Sequence, residues 1–111
     1  MKQTNIKKIV GYNKLKPNWN GYGGDPIPSD TINIAIQYIK AIDKQPTVSP
    51  TGRGSIQFDL TLGDNNITFE IFSYEIQFTD FFSGEIVSEG TIPILQFVDF
   101  YNELCQFYES E

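Results

Sequence analysis

The chain has 111 residues, 40% hydrophobic and 14% aromatic, with one cysteine, no histidine and a net charge of −6. That length and composition describe one globular domain over residues 1–111 with a core of its own, and exclude a disordered chain or one held by internal disulfides. No stretch approaches the ~20 apolar residues of a membrane span, Met1 to Val10 lacks the apolar run of a signal peptide, and a net-negative chain is repelled by nucleic-acid phosphates; the expectation is a cytoplasmic protein that binds neither membrane nor nucleic acid.

In chain order, Asn5 to Leu15 reads as a short helix with Ile6, Ile9, Val10 and Leu15 on one side. Lys16 to Pro28 is a loop, because its prolines and glycines do not fit together inside regular structure. Ser29 is placed to cap a second helix, in which Ile32, Ala35, Ile36, Ile39 and Ile42 make an apolar stripe at helical spacing before Pro46 ends it. Thr47 to Pro50 is a short extended lead-in. Ile56, Phe58, Leu60 and Leu62 then alternate with polar residues, as do Ile67, Phe69 and Ile71, and Ile76 and Phe78; Glu85 to Ser88 follows another turn. The alternation breaks at Asp80-Phe81-Phe82, where a bulge is expected. Thr91 is the candidate cap of a third helix, with Pro93 in its first turn and Ile94, Phe97, Val98, Tyr101, Leu104, Cys105 and Tyr108 on its apolar face.

These elements predict an α+β fold: a four-stranded antiparallel meander with two helices packed on one face and the other face wet. Closing the first hairpin on Asp64-Asn65 pairs Leu62 with Ile67 and Leu60 with Phe69. Closing the second on Ser73-Tyr74 pairs Ile71 with Ile76 and Phe69 with Phe78. Apolar residues then meet throughout, as one buried face requires.

Charge is divided along the chain. The part up to Gly54 carries all 8 basic side chains against Asp25, Asp30 and Asp43, or +5; Ser55 to Glu111 carries 11 carboxylates and no cation, or −11. Such a split bears on partners and encounter rates, not on fold.

Three groups of residues are candidate sites. In Trp19-Asn20-Gly21-Tyr22-Gly23-Gly24-Asp25, Trp19 and Tyr22 could stack a small molecule that Asn20 and Asp25 fix; equally, they could anchor a long loop. The glycine spacing fits no dinucleotide or phosphate loop, so no cofactor is expected. On the wet face, the assumed register sets Asp59 opposite Glu70 with Gln77 next across and Glu75 nearby. A metal, an acid–base pair, a cationic partner or simple solvation would each relieve that repulsion. Two carboxylates and an amide make a poor metal cage, and no metal is expected. Third, Arg53 between Gly52 and Gly54 is either an anion contact or a plain turn. Without histidine, Ser-His and Cys-His nucleophiles are ruled out, and Cys105 reads as a small buried hydrophobe.

The run Trp19 to Ile27, a helix, Pro46, Pro50-Thr51 and Gly54-Ser55-Ile56-Gln57-Phe58 resembles a family of short uncharacterised bacterial and phage-associated proteins. Their pattern is Trp-(Asp/Asn)-Gly-Tyr-Gly-(Ala/Gly)-x-Pro, a helix, then Pro-Thr-x-x-Gly before an alternating strand. The resemblance covers roughly residues 15 to 62 and implies fold and domain boundaries, but brings no catalytic residue with it.

The functional expectation is a small, acidic, non-catalytic interaction module. Asp59, Glu70, Glu75 and Gln77, with Asp99, Glu103, Glu109 and Glu111 toward the C-terminus, would meet a basic protein surface, as in antitoxins, immunity proteins and inhibitors. The alternative is a small-molecule-binding domain using the Trp19-Tyr22 loop; an enzyme using Asp59 and Glu70 ranks last. Phe72 and Phe81-Phe82 offer a surface for a homodimer.

Overall fold

The structure, a computed structural model, describes residues 2–109. Three helices, α1 (Lys2–Gly11), α2 (Ser29–Ala41) and α3 (Phe97–Glu109), accompany five strands: β1 (Thr47–Pro50), β2 (Ile56–Leu62), β3 (Asn65–Ile71), β4 (Ile76–Phe82) and β5 (Glu85–Ile92). The strands form one antiparallel sheet in the order β1-β2-β3-β4-β5. Among the described residues no helix is long and apolar enough to cross a membrane.

The expected fold class holds, with corrections. The sheet has five strands rather than four, because Thr47–Pro50 returns across the 51–55 loop and pairs with β2, Val48 opposite Phe58. Pro50 suits this place, since a proline belongs on an edge strand. α1 lies against α2 and β1, so the helices do not all sit on one face of the sheet. It starts at Lys2 and gives way to a 3₁₀ turn at Tyr12–Lys14. Ser29 is the first helical residue of α2, not its cap; Pro28 holds that position with no side-chain bond. Thr91 does not cap α3 either. It stays in β5, opposite Gln77, and the chain reaches α3 through a 3₁₀ turn at Ile94–Gln96.

The first hairpin is shifted. Its turn is Gly63-Asp64, so Leu62 pairs with Asn65, Leu60 with Ile67 and Phe58 with Phe69. Gly63 sits at φ 61°, a conformation that a tight hairpin needs at its first central residue and that glycine adopts without strain. The displacement is two residues, which keeps every side chain on its face. Apolar–apolar matching is therefore equally good in both registers and does not discriminate between them. The second hairpin has the expected pairing, Ile71 with Ile76 and Phe69 with Phe78. The irregularity anticipated near Asp80 falls between Asp80 and Phe81 in the β4–β5 ladder.

The core is aromatic at its centre. Phe97 of α3 stands edge-on to Phe69 at 5.2 Å and 4.4 Å from Tyr38 of α2. Ile39, Ile42, Phe58, Leu60, Phe69 and Tyr101 surround them, all buried, as is Cys105. Polar atoms within this layer are satisfied. Tyr38 donates to the Ile94 carbonyl at 2.8 Å, and Tyr101 to the Lys44 carbonyl at 2.6 Å. Asn5 donates to the Gln45 side chain and the Pro46 carbonyl, both at 3.0 Å, fastening α1 to the start of the sheet. At the far end Asp80 accepts from Asn65 and from the Tyr108 hydroxyl, each at 3.1 Å, which ties the C-terminal turns of α3 to β3 and β4.

Burial pushes the Tyr38 hydroxyl up from 10.0 to about 12 and raises that of Tyr101 as well. The folded state then holds these protons more tightly than the unfolded one. The resulting stability is complete below pH 10 and is lost as pH rises through the folded-state value. The urea midpoint should be level up to about pH 10 and fall steeply above it. Tyr38→Phe should flatten that fall while costing about 1 kcal/mol at neutral pH for the lost bond to Ile94. Alkaline titrations of both proteins, followed by far-UV circular dichroism, check this.

Candidate functional site

Three segments that look unrelated in the sequence meet at one end of the sheet. The first, the Trp19–Asp25 loop, is held by its own asparagines. Asn20 Oδ1 accepts from the backbone N–H groups of Tyr22 and Gly24, each at 2.9 Å, and Asn18 Oδ1 accepts from Gly23 at 2.7 Å. The Trp19 indole donates to the Asp25 carbonyl at 2.8 Å. A Cβ on Gly24 would lie 2.7 Å from Asn20 Oδ1, so only glycine lets this wrap close. Tyr22 is 92% exposed, while the indole is turned back on its own loop; the two aromatics do not face a shared enclosed space.

The second segment is the turn between β1 and β2. The Asp25 backbone N–H donates to the Gly52 carbonyl at 2.9 Å, and Asp25 forms a parallel bridge with Arg53. Thr51 and Ser55 close the turn, with their hydroxyl oxygens 2.5 Å apart. Since Ser55 donates its proton to Glu70, also at 2.5 Å, Thr51 is the donor in that contact.

The third is the outer face of the sheet. Glu70 accepts from Arg53 through two nitrogens, Nε at 3.0 Å and Nη2 at 2.5 Å, as well as from Ser55. The Glu70 hydrogen bonds, with its charge, raise the Arg53 pKa above the usual arginine value. The guanidinium lies 5.7 Å from the centre of the Phe72 ring, which stacks on Tyr74 at 5.3 Å. Phe72 and Tyr74, together with Thr51 and Ser55, belong to this cluster without having been singled out as part of it. A signal for the hydroxyls was available: Thr and Ser flank Gly52-Arg53-Gly54 and stand next to the strand that faces Glu70.

The repulsive Asp59–Glu70 pair does not exist. In the true register Asp59 faces Thr68, while Glu70 stands between Gln57 and Gln77. Asp59 accepts from Gln57 at 3.0 Å and from Thr68 at 3.1 Å; Glu75 accepts from Gln77 at 3.0 Å. The acid–base arrangement that rested on adjacent carboxylates loses its geometry. Among the described residues no three acidic or thiol side chains gather as metal ligands.

Apart from Glu70, then, the carboxylates of this face are oriented by neutral amides and hydroxyls, which leave their charge in place. Among the described residues Lys2, Lys7, Lys8, Lys14 and Lys16 form no ion pair with them; Lys2 donates to the Lys40 carbonyl. Asp99 and Glu103 are exposed on α3, whereas Glu111 and the side chain of Glu109 lie outside the described residues. Comparisons with family models, curated proteins and solved structures return no match.

Asn20→Ala leaves two loop amides without an acceptor. It should speed amide exchange at Tyr22 and Gly24 and lower stability by about 1 kcal/mol, with Asn20→Asp restoring most of both. Hydrogen exchange by NMR, paired with urea unfolding, reads the two effects together.

Proposed function

We propose that this protein is a small acidic, non-catalytic interaction module whose outer sheet face meets a basic surface on another protein. Asp59, Glu75 and Gln77 are the central contacts, and Glu70 is held ready by Arg53. One observation carries this reading: the face presents carboxylates fixed by neutral donors, and the N-terminal lysines do not neutralise them. Pre-oriented negative charge speeds encounter with a cationic partner and selects against anionic ones. Antitoxins, immunity proteins and nuclease inhibitors exploit the same physics by occupying a site meant for phosphate. The Trp19–Asp25 motif, with its resemblance to bacterial and phage-associated proteins, enters as the brace that holds Arg53 in place.

An oligo-arginine peptide added to ¹⁵N-labelled protein tests this. Shifts should concentrate on Asp59, Glu75, Gln77 and their neighbours and weaken sharply between about 50 and about 500 mM salt. Asp59→Asn with Glu75→Gln should lower affinity several-fold without changing the fold. Shifts confined to α3, or equal affinity for the double variant, would refute the assignment of this face.

A further inference from the structure

The sheet has two edges of different character. β1 is four residues long, ends in Pro50 and has α1 packed beside it. β5 runs for eight residues, and every one except Ile92 is exposed. Among the described residues nothing pairs with its outer side. Edge strands are ordinarily blunted by charged side chains (lysine above all), proline, a bulge or a covering element, because free N–H and C=O groups invite another strand. The β5 sequence, Glu-Ile-Val-Ser-Glu-Gly-Thr-Ile, contains neither lysine nor proline. Its one irregularity lies opposite Asp80 and Phe81, which leaves Ser88 to Ile92 in a regular ladder with β4.

We propose that the outer edge of β5 takes up an extended segment of a basic partner protein as an added strand. This rests on the reading of the protein as an acidic module and specifies the form in which the partner is bound. Charge selects the occupant. β5 carries Glu85 and Glu89, and no cation follows Arg53 in the chain. A second copy docking edge to edge would align two such acidic strands, whereas a lysine- or arginine-bearing strand meets opposite charge. Beside the edge, Gln77, Thr79, Glu89 and Thr91, with Phe78 and Gly90, line a shallow cleft of about 450 Å³. A carboxylate, an amide and two hydroxyls are suited to an ammonium or guanidinium group. Ile86 and Val87, each 57% exposed, add apolar surface along the same strand, and Leu95, 95% exposed, stands just beyond its end. The preferred segment therefore alternates basic and apolar side chains, as strand geometry allows.

The full chain, ¹⁵N-labelled, is titrated with a peptide of about eight residues alternating Lys and Val, and with the same peptide N-methylated throughout, which keeps its charge but cannot donate to a ladder. The expected result is shifts and new amide protection along Glu85–Ile92, affinity about tenfold or more weaker for the methylated peptide, and a further loss with Glu89→Lys. Equal binding of both peptides with shifts on Asp59 and Glu75 would overturn the edge proposal and leave the acidic-face reading standing. No binding of either peptide at low salt would overturn both. Concentration-dependent β5 shifts in the protein alone, with dimer in sedimentation equilibrium, would overturn the proposal in favour of a second copy.

Discussion

Glu70 accepts hydrogen bonds from Arg53 and Ser55, and through them the early part of the chain is joined to the sheet. Arg53 lies on the turn whose neighbour, Gly52, receives the Asp25 amide; Asp25 in turn receives the Trp19 indole. The loop, the β1–β2 turn and the outer face thus share one joint. Its energy is modest. The Arg53 side chain is 63% exposed, so water screens the ion pair. Its importance is geometric: two parallel N–H bonds to one carboxylate fix a direction as well as a distance.

The same joint accounts for the electrostatics of the face. Arg53 is the last cation in the sequence and is occupied by Glu70. On the same face Asp59 and Glu75 accept from neutral donors, Gln57, Thr68 and Gln77. The tally of positive and negative residues suggests a chain that could balance itself internally. The fold places Lys2, Lys7 and Lys8 on α1 and Asp59 and Glu70 on the outer face of the sheet, and among the described residues these lysines form no ion pair with that face. This is what gives the proposed interface its sign, and the open acidic edge of β5 extends the same character to the rim of the sheet.

Much of the fold was legible in the sequence. Alternation at Ile56–Leu62 and Ile67–Ile71 marked strands with one buried face, and the stripe from Ile32 to Ile42 marked α2, because burial imposes those periods on apolar side chains. The register of the first hairpin was not legible from the same pattern. A displacement of two residues is silent to face matching, and only the left-handed turn glycine, Gly63, distinguishes the alternatives. That displacement hid the real partners of Asp59 and Glu70. β1 was too short to show a period, and the extension of β5 to Ile92 was masked by Thr91, which read as the cap of α3. Of the site, Glu70, Arg53 and the Trp19 loop were each visible, but as separate motifs. Their meeting depends on contacts between distant segments, on which local patterns are silent.

The most direct measurement is amide exchange at Asp25, whose N–H bonds to Gly52 beside Arg53, in a double-mutant cycle of Arg53→Ala and Glu70→Gln. If Glu70 holds the loop through Arg53, each single change and the pair should accelerate exchange at Asp25 to the same extent, while the core amides of β3 stay protected. Exchange at Asp25 that is unchanged by either substitution, or effects of the two that simply add, would contradict the account.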